Sequence, residues 1–172
     1  PCSGSTSVLL ASENVASKFS DQPVWISGIG QKTNSASFAK NELTELTTST
    51  IASRDAYKMA KTSASHIDVA EIHDAFTVCE LMAVKDLGFS ENISGADYVR
   101  NLFHTENRKI NPRGGLIGAG HPLGATGIAQ IMEITLQLQN KAKTRQVDGA
   151  NKGLIHNMSA AATSSTVLIL ES

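Results

Sequence analysis

The histidine His121 stands in the stretch Asn111-Pro112-Arg113-Gly114-Gly115-Leu116-Ile117-Gly118-Ala119-Gly120-His121-Pro122-Leu123-Gly124-Ala125-Thr126-Gly127, which carries six glycines and two prolines. Proline after His121 disfavours the α region at the histidine itself. The glycines allow tight turns and close approach of other groups to the backbone. A helical apolar spacing (Ile128, Ile131, Met132, Thr135, Leu138) follows at once, over about Ala125 to Ala142. His121 is therefore expected in a rigid turn at a helix N-terminus. There the helix dipole disfavours a positive imidazole and keeps it available as a neutral base. A glycine-rich loop with a capping histidine has the same composition, so this reading needs a second residue.

His73 follows the strand-like run Asp68–Ile72, and Asp74 follows it. An imidazole at the end of a strand could donate to a substrate oxygen directly or through water. The alternative is a buried histidine bonded to Asp74 or to backbone. Asp74 either orients a neighbour or caps the next helix. A third histidine, His156, precedes Asn157 in the run Gly153–Ala161. The two cysteines, Cys2 and Cys79, form neither a disulfide framework nor a zinc spacing. Cys79 lies one turn after Phe76 and reads as a small core residue. Cys2 has no motif around it.

The string Gly120-His121-Pro122-Leu123-Gly124-Ala125-Thr126-Gly127, preceded by Asn111-Pro112 and Gly114-Gly115, resembles the GHP signature of the thiolase superfamily. Glu71-Ile72-His73-Asp74-Ala75-Phe76, followed by Glu80-Leu81 and Asp86–Phe89, resembles the HDxF segment of sterol-carrier-type and archaeal-type thiolases. Both motifs stand in the family's order. The likeness runs along essentially the whole chain but matches only the C-terminal half of a thiolase.

That resemblance implies a set of roles. His121 would activate a cysteine nucleophile and help hold the enolate oxygen. His73 would take the place of the Asn or His that orients a water in the same oxyanion hole. Asn157 and Ser159 stand where many thiolases have the acid/base cysteine and an oxyanion-hole glycine. Gly120 and Asp74 would line the same cleft, and Phe76 and Pro122 would touch substrate. Sterol-carrier-type enzymes place their second cysteine inside HDCF, where this chain has Ala75. His156 is then a candidate for the missing acid/base function. Ser159, Ala160 and Ala161 replace expected glycines, which restricts the backbone there.

The nucleophilic cysteine of thiolases lies in their N-terminal half. The resemblance therefore implies that the chain works with a missing N-terminal half or a companion chain, in a homo- or hetero-oligomer. Enzymes of this type resemble members of larger complexes that contain a small OB-fold acyl-CoA-binding protein. The implied reaction is acyl transfer between CoA thioesters, or making and breaking a carbon–carbon bond beside the thioester carbonyl. No separate cofactor and no metal is expected, with the CoA thioester as substrate. A non-catalytic acyl-CoA-binding or scaffolding subunit and a retro-aldolase on a CoA thioester are the alternatives.

The totals agree with a globular domain. The chain has 172 residues, 41% hydrophobic and 18% charged, with a formal net charge of −1. That charge implies no sequence-independent nucleic-acid binding. No apolar run reaches the ~18–20 residues of a membrane span. The start lacks a signal-peptide pattern, and a reduced cytoplasmic setting is expected.

The elements that must position these residues follow from pattern. Strands are expected at Ser5–Ser12, Pro23–Gly30, Asp68–Ile72, Asn151–Met158 and Ser164–Leu170. Helices are expected from Glu13 (capped by Ser12) to Phe19, and over Thr50–Lys61, Ala75–Leu87, Ser94–Phe103 and Ala125–Ala142. Gly88 is placed to end the Ala75 helix. Gln31–Thr48 reads as a solvated loop, near the CoA channel by the resemblance, and Thr105–Pro112 as another loop. The order β-α-β-α-β-α-β-β argues for an α/β fold with a mostly parallel mixed sheet and helices on its faces. By resemblance it is a thiolase-like C-terminal half. Residues 1–20 would complete the sheet of the N-terminal half, and residues 21–172 would form the C-terminal domain.

Overall fold

In strands, successive side chains point to opposite faces of the sheet, and the last two strands show this on both faces. The computed structural model describes residues 1–40, 43–102, 104 and 109–172. Strands β3 (Lys152–Met158) and β4 (Ser164–Glu171) run antiparallel through its centre. Leu154, Val167 and Ile169 point into one apolar core, while Ile155 and Leu170 point into a second on the other face. Both faces are buried there, so apolar residues stand side by side at Leu154–Ile155 and over 167–170.

Strand β1 (Trp25–Thr33) flanks β4 and β2 (Val69–Glu71) flanks β3, giving the order β1-β4-β3-β2. One core holds helices α2 (Thr47–Ala60), α3 (Thr77–Asp86) and α4 (Gly95–Leu102). The other core holds α6 (Thr126–Leu138), through Ile134 and Leu138. Helix α2 lies very close to β1. A Cβ on Gly30 would collide with the backbone carbonyl of Ala52, and one on Gly28 with that of Ala56.

The α/β order and the mixed sheet match the sequence pattern, and Gly88 ends α3 with φ +88°. The expectation of mostly parallel pairing is corrected. Among the described strands only β2–β3 is parallel, joined by an isolated parallel bridge from Ala70 to Ile110, while β1–β4 and β3–β4 are antiparallel. The cause is local: β3 and β4 are joined by the short Ser159–Thr163 turn, and a tight connection can only make antiparallel neighbours.

The expected strand Ser5–Ser12 is also corrected. Residues 1–12 carry no regular structure, and Leu9 and Leu10 are 70% and 76% exposed. A strand needs a neighbouring strand to take its backbone hydrogen bonds, and none of the described strands pairs with this segment. It runs beside the site loop instead, where the Cys2 N–H reaches the His121 carbonyl at 3.4 Å.

The remaining differences concern boundaries. Helix α1 covers only Glu13–Ala16, and its capping position, Ser12, makes no side-chain cap bond. The Gln31–Thr48 loop gives up its start to β1 and its end to α2, and holds a short 3-10 turn at Phe38–Lys40. Residues 41–42, 103 and 105–108 of the expected loops and the α4 end lie outside the described residues. Helix α6 ends at Leu138, short of Ala142, where Asn140 takes a left-handed φ of 57°. A short helix that the pattern did not suggest, α5 (Gly115–Ala119), sits immediately before His121.

Candidate active site

His73 leaves the end of β2, and His121 lies in the turn between α5 and α6. Their ring centroids are 5.1 Å apart with the planes at 87°, an edge-to-face pair. Residues 48 positions apart in sequence meet here because β2 and the loop Asn111–Gly115 are clamped together. The Asn111 side-chain oxygen accepts from Ile72 N–H at 2.7 Å, and the Asn111 backbone N–H donates to the Ala70 carbonyl at 2.8 Å. Glu71, fully buried, accepts from Arg113 N–H at 3.2 Å and faces the Arg113 guanidinium at 3.5 Å. Burial pushes the Glu71 carboxyl up to about 7, against the pull of Arg113.

Asp74 makes the second clamp. Its carboxylate accepts from Leu116 N–H at 2.6 Å, in the first turn of α5. It thus caps the helix that precedes His121, whereas the residue capping α3 is Phe76. Gly115 takes a left-handed φ of 62°, and a Cβ there would overlap the Asp74 carboxylate. Glycine is needed at this position for both reasons. Burial raises the Asp74 pKa, and the surrounding backbone N–H groups oppose the rise.

The protonation pattern of His121 follows from donor and acceptor logic. Thr126 Oγ1 donates to the Pro122 carbonyl at 3.1 Å, because a carbonyl only accepts. The same hydroxyl lies 2.7 Å from His121 Nδ1, so that nitrogen is the donor. The neutral ring therefore carries its proton on Nδ1 and leaves Nε2 as the basic nitrogen. Burial lowers the His121 pKa. His73 is 6% exposed, and burial, with the neighbouring His121, takes its pKa down to about 4. Its Nδ1 is buried without a hydrogen-bond partner.

Two cavities share His73 in their walls. One, of about 840 Å³, is lined by His73, Phe76, Gly120, His121, Asn157 and Ser159. The other, of about 370 Å³ and mostly apolar, lies between His73, Leu46, Cys79, Met82 and the turn Ala160–Ala162. Pro122 borders a separate shallow hollow with Cys2–Thr6. The Asn157 amide donates to Gln130 at 3.0 Å, and Gln130 donates to the His156 carbonyl at 3.2 Å.

One expectation about position is corrected. His156 does not line the cleft. It is fully buried on β3, accepts from His73 N–H at Nδ1 (3.5 Å) and lies 2.9 Å from Ser49 Oγ at Nε2. Ser159 lines the cavity, but its N–H is bound to the Ser164 carbonyl at 2.9 Å, and its hydroxyl accepts from Ser164 N–H. The groups that sequence reasoning missed are Thr126, Gln130, Glu71, Ser49 and Ser165. Only Thr126 carried a local signal, as the last hydroxyl of the histidine loop. Among the described residues, no group of three His, Cys, Asp or Glu side chains is placed to hold a metal ion. No described helix is long and apolar enough to cross a membrane.

Comparison with known proteins bears on the family and the fold. The acetyl-CoA acetyltransferase of Methanothermobacter thermautotrophicus is 38% identical over 158 residues, covering 90% of the chain and 41% of that protein. Human sterol carrier protein 2 is 36% identical over 163 residues, 90% of the chain and 30% of that protein. The chain thus spans less than half the length of these relatives. A solved Ltp2-ChsH2(DUF35) aldolase shares the fold, with a TM-score of 0.76 at 19% identity over 88% of the chain and 40% of that structure. The family model for the thiolase C-terminal domain-like family matches residues 30–172. The chain belongs to the thiolase C-terminal domain-like family.

Proposed function

We propose that the chain is the C-terminal half of a thiolase-like acyltransferase acting on acyl-CoA, with the nucleophilic cysteine supplied by an N-terminal half or a partner chain. The observation that carries this reading is the His73–His121 pair, with His121 Nδ1–H held by Thr126. A neutral imidazole with a free Nε2 accepts a proton from a thiol or from the carbon beside a thioester carbonyl. The His73 ring stands beside it in the cavity wall, suited to donate toward the oxygen that gains charge. Phe76 and the apolar cavity beside His73 suit the acyl group, and Asn157 and Gly120 border the reacting end. Burial favours the neutral form of both histidines, most strongly of His73. The reaction needs no separate cofactor, and the protein works in a homo- or hetero-oligomer.

The second reading is a non-catalytic acyl-CoA-binding subunit. It is favoured by Ser159, whose N–H is spent on Ser164, and by Asn157 and Ala75 standing where a second cysteine is expected. Native mass of the purified particle, followed by denaturing mass of its components, separates the two. Missing thiolase-half sequence with a cysteine loop, in the same polypeptide or a second chain, predicts acyl exchange between CoA thioesters that His121→Ala abolishes. A particle lacking any such cysteine, which binds acyl-CoA without exchange, refutes the acyltransferase.

A further inference from the structure

The hydroxyls at the start of α2 and on β4 serve no step of the chemistry above, yet they are among the most buried polar groups of the chain. Ser49 is 0% exposed, Ser165 1% and Thr48 2%. They form one continuous line with His156. Ser49 Oγ lies 2.9 Å from His156 Nε2 and 2.9 Å from Ser165 Oγ. Ser165 Oγ lies 2.8 Å from Thr48 Oγ1, which lies 2.8 Å from the Ala162 carbonyl.

We propose that His156 is a positioning residue, and that with Ser49, Ser165 and Thr48 it forms a one-way hydrogen-bond relay tying the His73 backbone to the turn Ala160–Ala162. The two ends set the direction. The His73 N–H can only donate, so His156 Nδ1 accepts and Nε2 carries the hydrogen. The Ala162 carbonyl can only accept, so Thr48 donates to it. Each hydroxyl has one hydrogen. The only pattern that makes every bond runs from His73 through His156, Ser49, Ser165 and Thr48 to Ala162.

Both ends are parts of the cavity wall. His73 and the alanine turn both line the smaller cavity. Ala161 and Ala162 hold left-handed φ values of 59° and 51°, which non-glycine residues keep only when their surroundings impose them. The Thr48 hydroxyl on the Ala162 carbonyl is such a constraint. A protonated His156 would point a donor at the His73 N–H, so the relay requires the neutral ring. Burial agrees, holding the His156 pKa down to about 3.

The relay deepens the acyltransferase reading and rests on it only for its kinetic test. In the assembled protein, nitrogen NMR of the imidazoles is expected to show His156 as the neutral Nε2–H tautomer from about pH 5 to pH 8. Thr48→Val is expected to move the His73 ring resonances and to lower kcat for acyl exchange about tenfold with KM unchanged. Thr48→Ser is expected to restore both. An Nδ1–H tautomer, a titrating His156, or a Thr48→Val protein with unmoved His73 resonances overturns the relay. If Thr48→Val does not fold, the wild-type tautomer decides. If no CoA thioester is exchanged, the acyltransferase reading falls, while the NMR result still judges the relay.

Discussion

Asp74→Ala tests whether α5, and with it the His121 turn, hangs on a single carboxylate. The Asp74 carboxylate is buried and holds Leu116 N–H at 2.6 Å. A hydrogen bond to a charged group contributes about 1.5–3 kcal/mol, and its loss leaves a buried N–H unpaired. The expected loss of stability is therefore about 2–3 kcal/mol by urea unfolding, a Tm lower by about 5–10 °C in a chain of this size. Asp74→Asn keeps an acceptor oxygen and should lose only about 1 kcal/mol. A double-mutant cycle sharpens the test, because the Cβ of Gly115→Ala would meet this same carboxylate. Removing the carboxylate should make Gly115→Ala milder by at least about 1 kcal/mol. If Asp74→Ala loses less than about 0.5 kcal/mol and the cycle shows no coupling, the clamp is wrong.

Three further outcomes are expected. Gly30→Ala drives a Cβ into the Ala52 carbonyl and should destabilise by about 2 kcal/mol or more in urea titration, whereas Gly118→Ala has nothing within 4 Å and should be neutral or gain up to about 1 kcal/mol. Thr126→Val removes the acceptor for His121 Nδ1–H, so nitrogen NMR should show a mixed tautomer and acyl exchange should slow about tenfold; an unchanged tautomer refutes the assignment. His73 and His156 have folded pKa values depressed to about 4 and about 3, so the unfolded chain takes up protons first, and their contribution is lost as pH falls below the ordinary 6.5. Glu71, raised from 4.5 to about 7, has the opposite sign and costs stability as pH rises through that window. Glu71→Gln should thus steepen the acid loss measured by urea titration between pH 4.5 and 6.5, and an unaltered slope would show that Glu71 is ionised throughout.

Most of the element order was legible from periodicity, and glycine and proline spacing marked the histidine loop, whereas the meeting of His73 with His121 was implied by the family resemblance and not by any local signal. Burial of Thr48 and Ser49 was not legible. A run of hydroxyl residues looks like a solvated loop, and the partners that bury it, His156 and Ser165, lie 107 to 117 positions away. His156 was placed in the cleft for a related reason. Sequence locates a residue on a strand near a site but does not show which face its side chain takes, and here it points to the α2 side. Ser5–Ser12 has a strand's composition without a strand's neighbour. The parallel share of the sheet was overstated because alternating helices and strands suggest crossovers, while the final turn enforces a hairpin.

The central sheet also acts as a partition. Leu154 and Ile155 are joined by a peptide bond but belong to different compartments, Leu154 with Val167 and Ile169, Ile155 with Ile134 and Leu170. A packing defect on one side reaches the other through the shared strand backbone and through the Gln130 bond to the His156 carbonyl, not through apolar contacts within one cluster. Neighbours along the chain should therefore be energetic strangers, with truncations at 154 and 155 adding simply. Ile134 and Ile155, 21 positions apart, share a compartment, and their truncations should couple. Repacking Ile134 or Leu138 should therefore disturb the α2 compartment less than repacking within it.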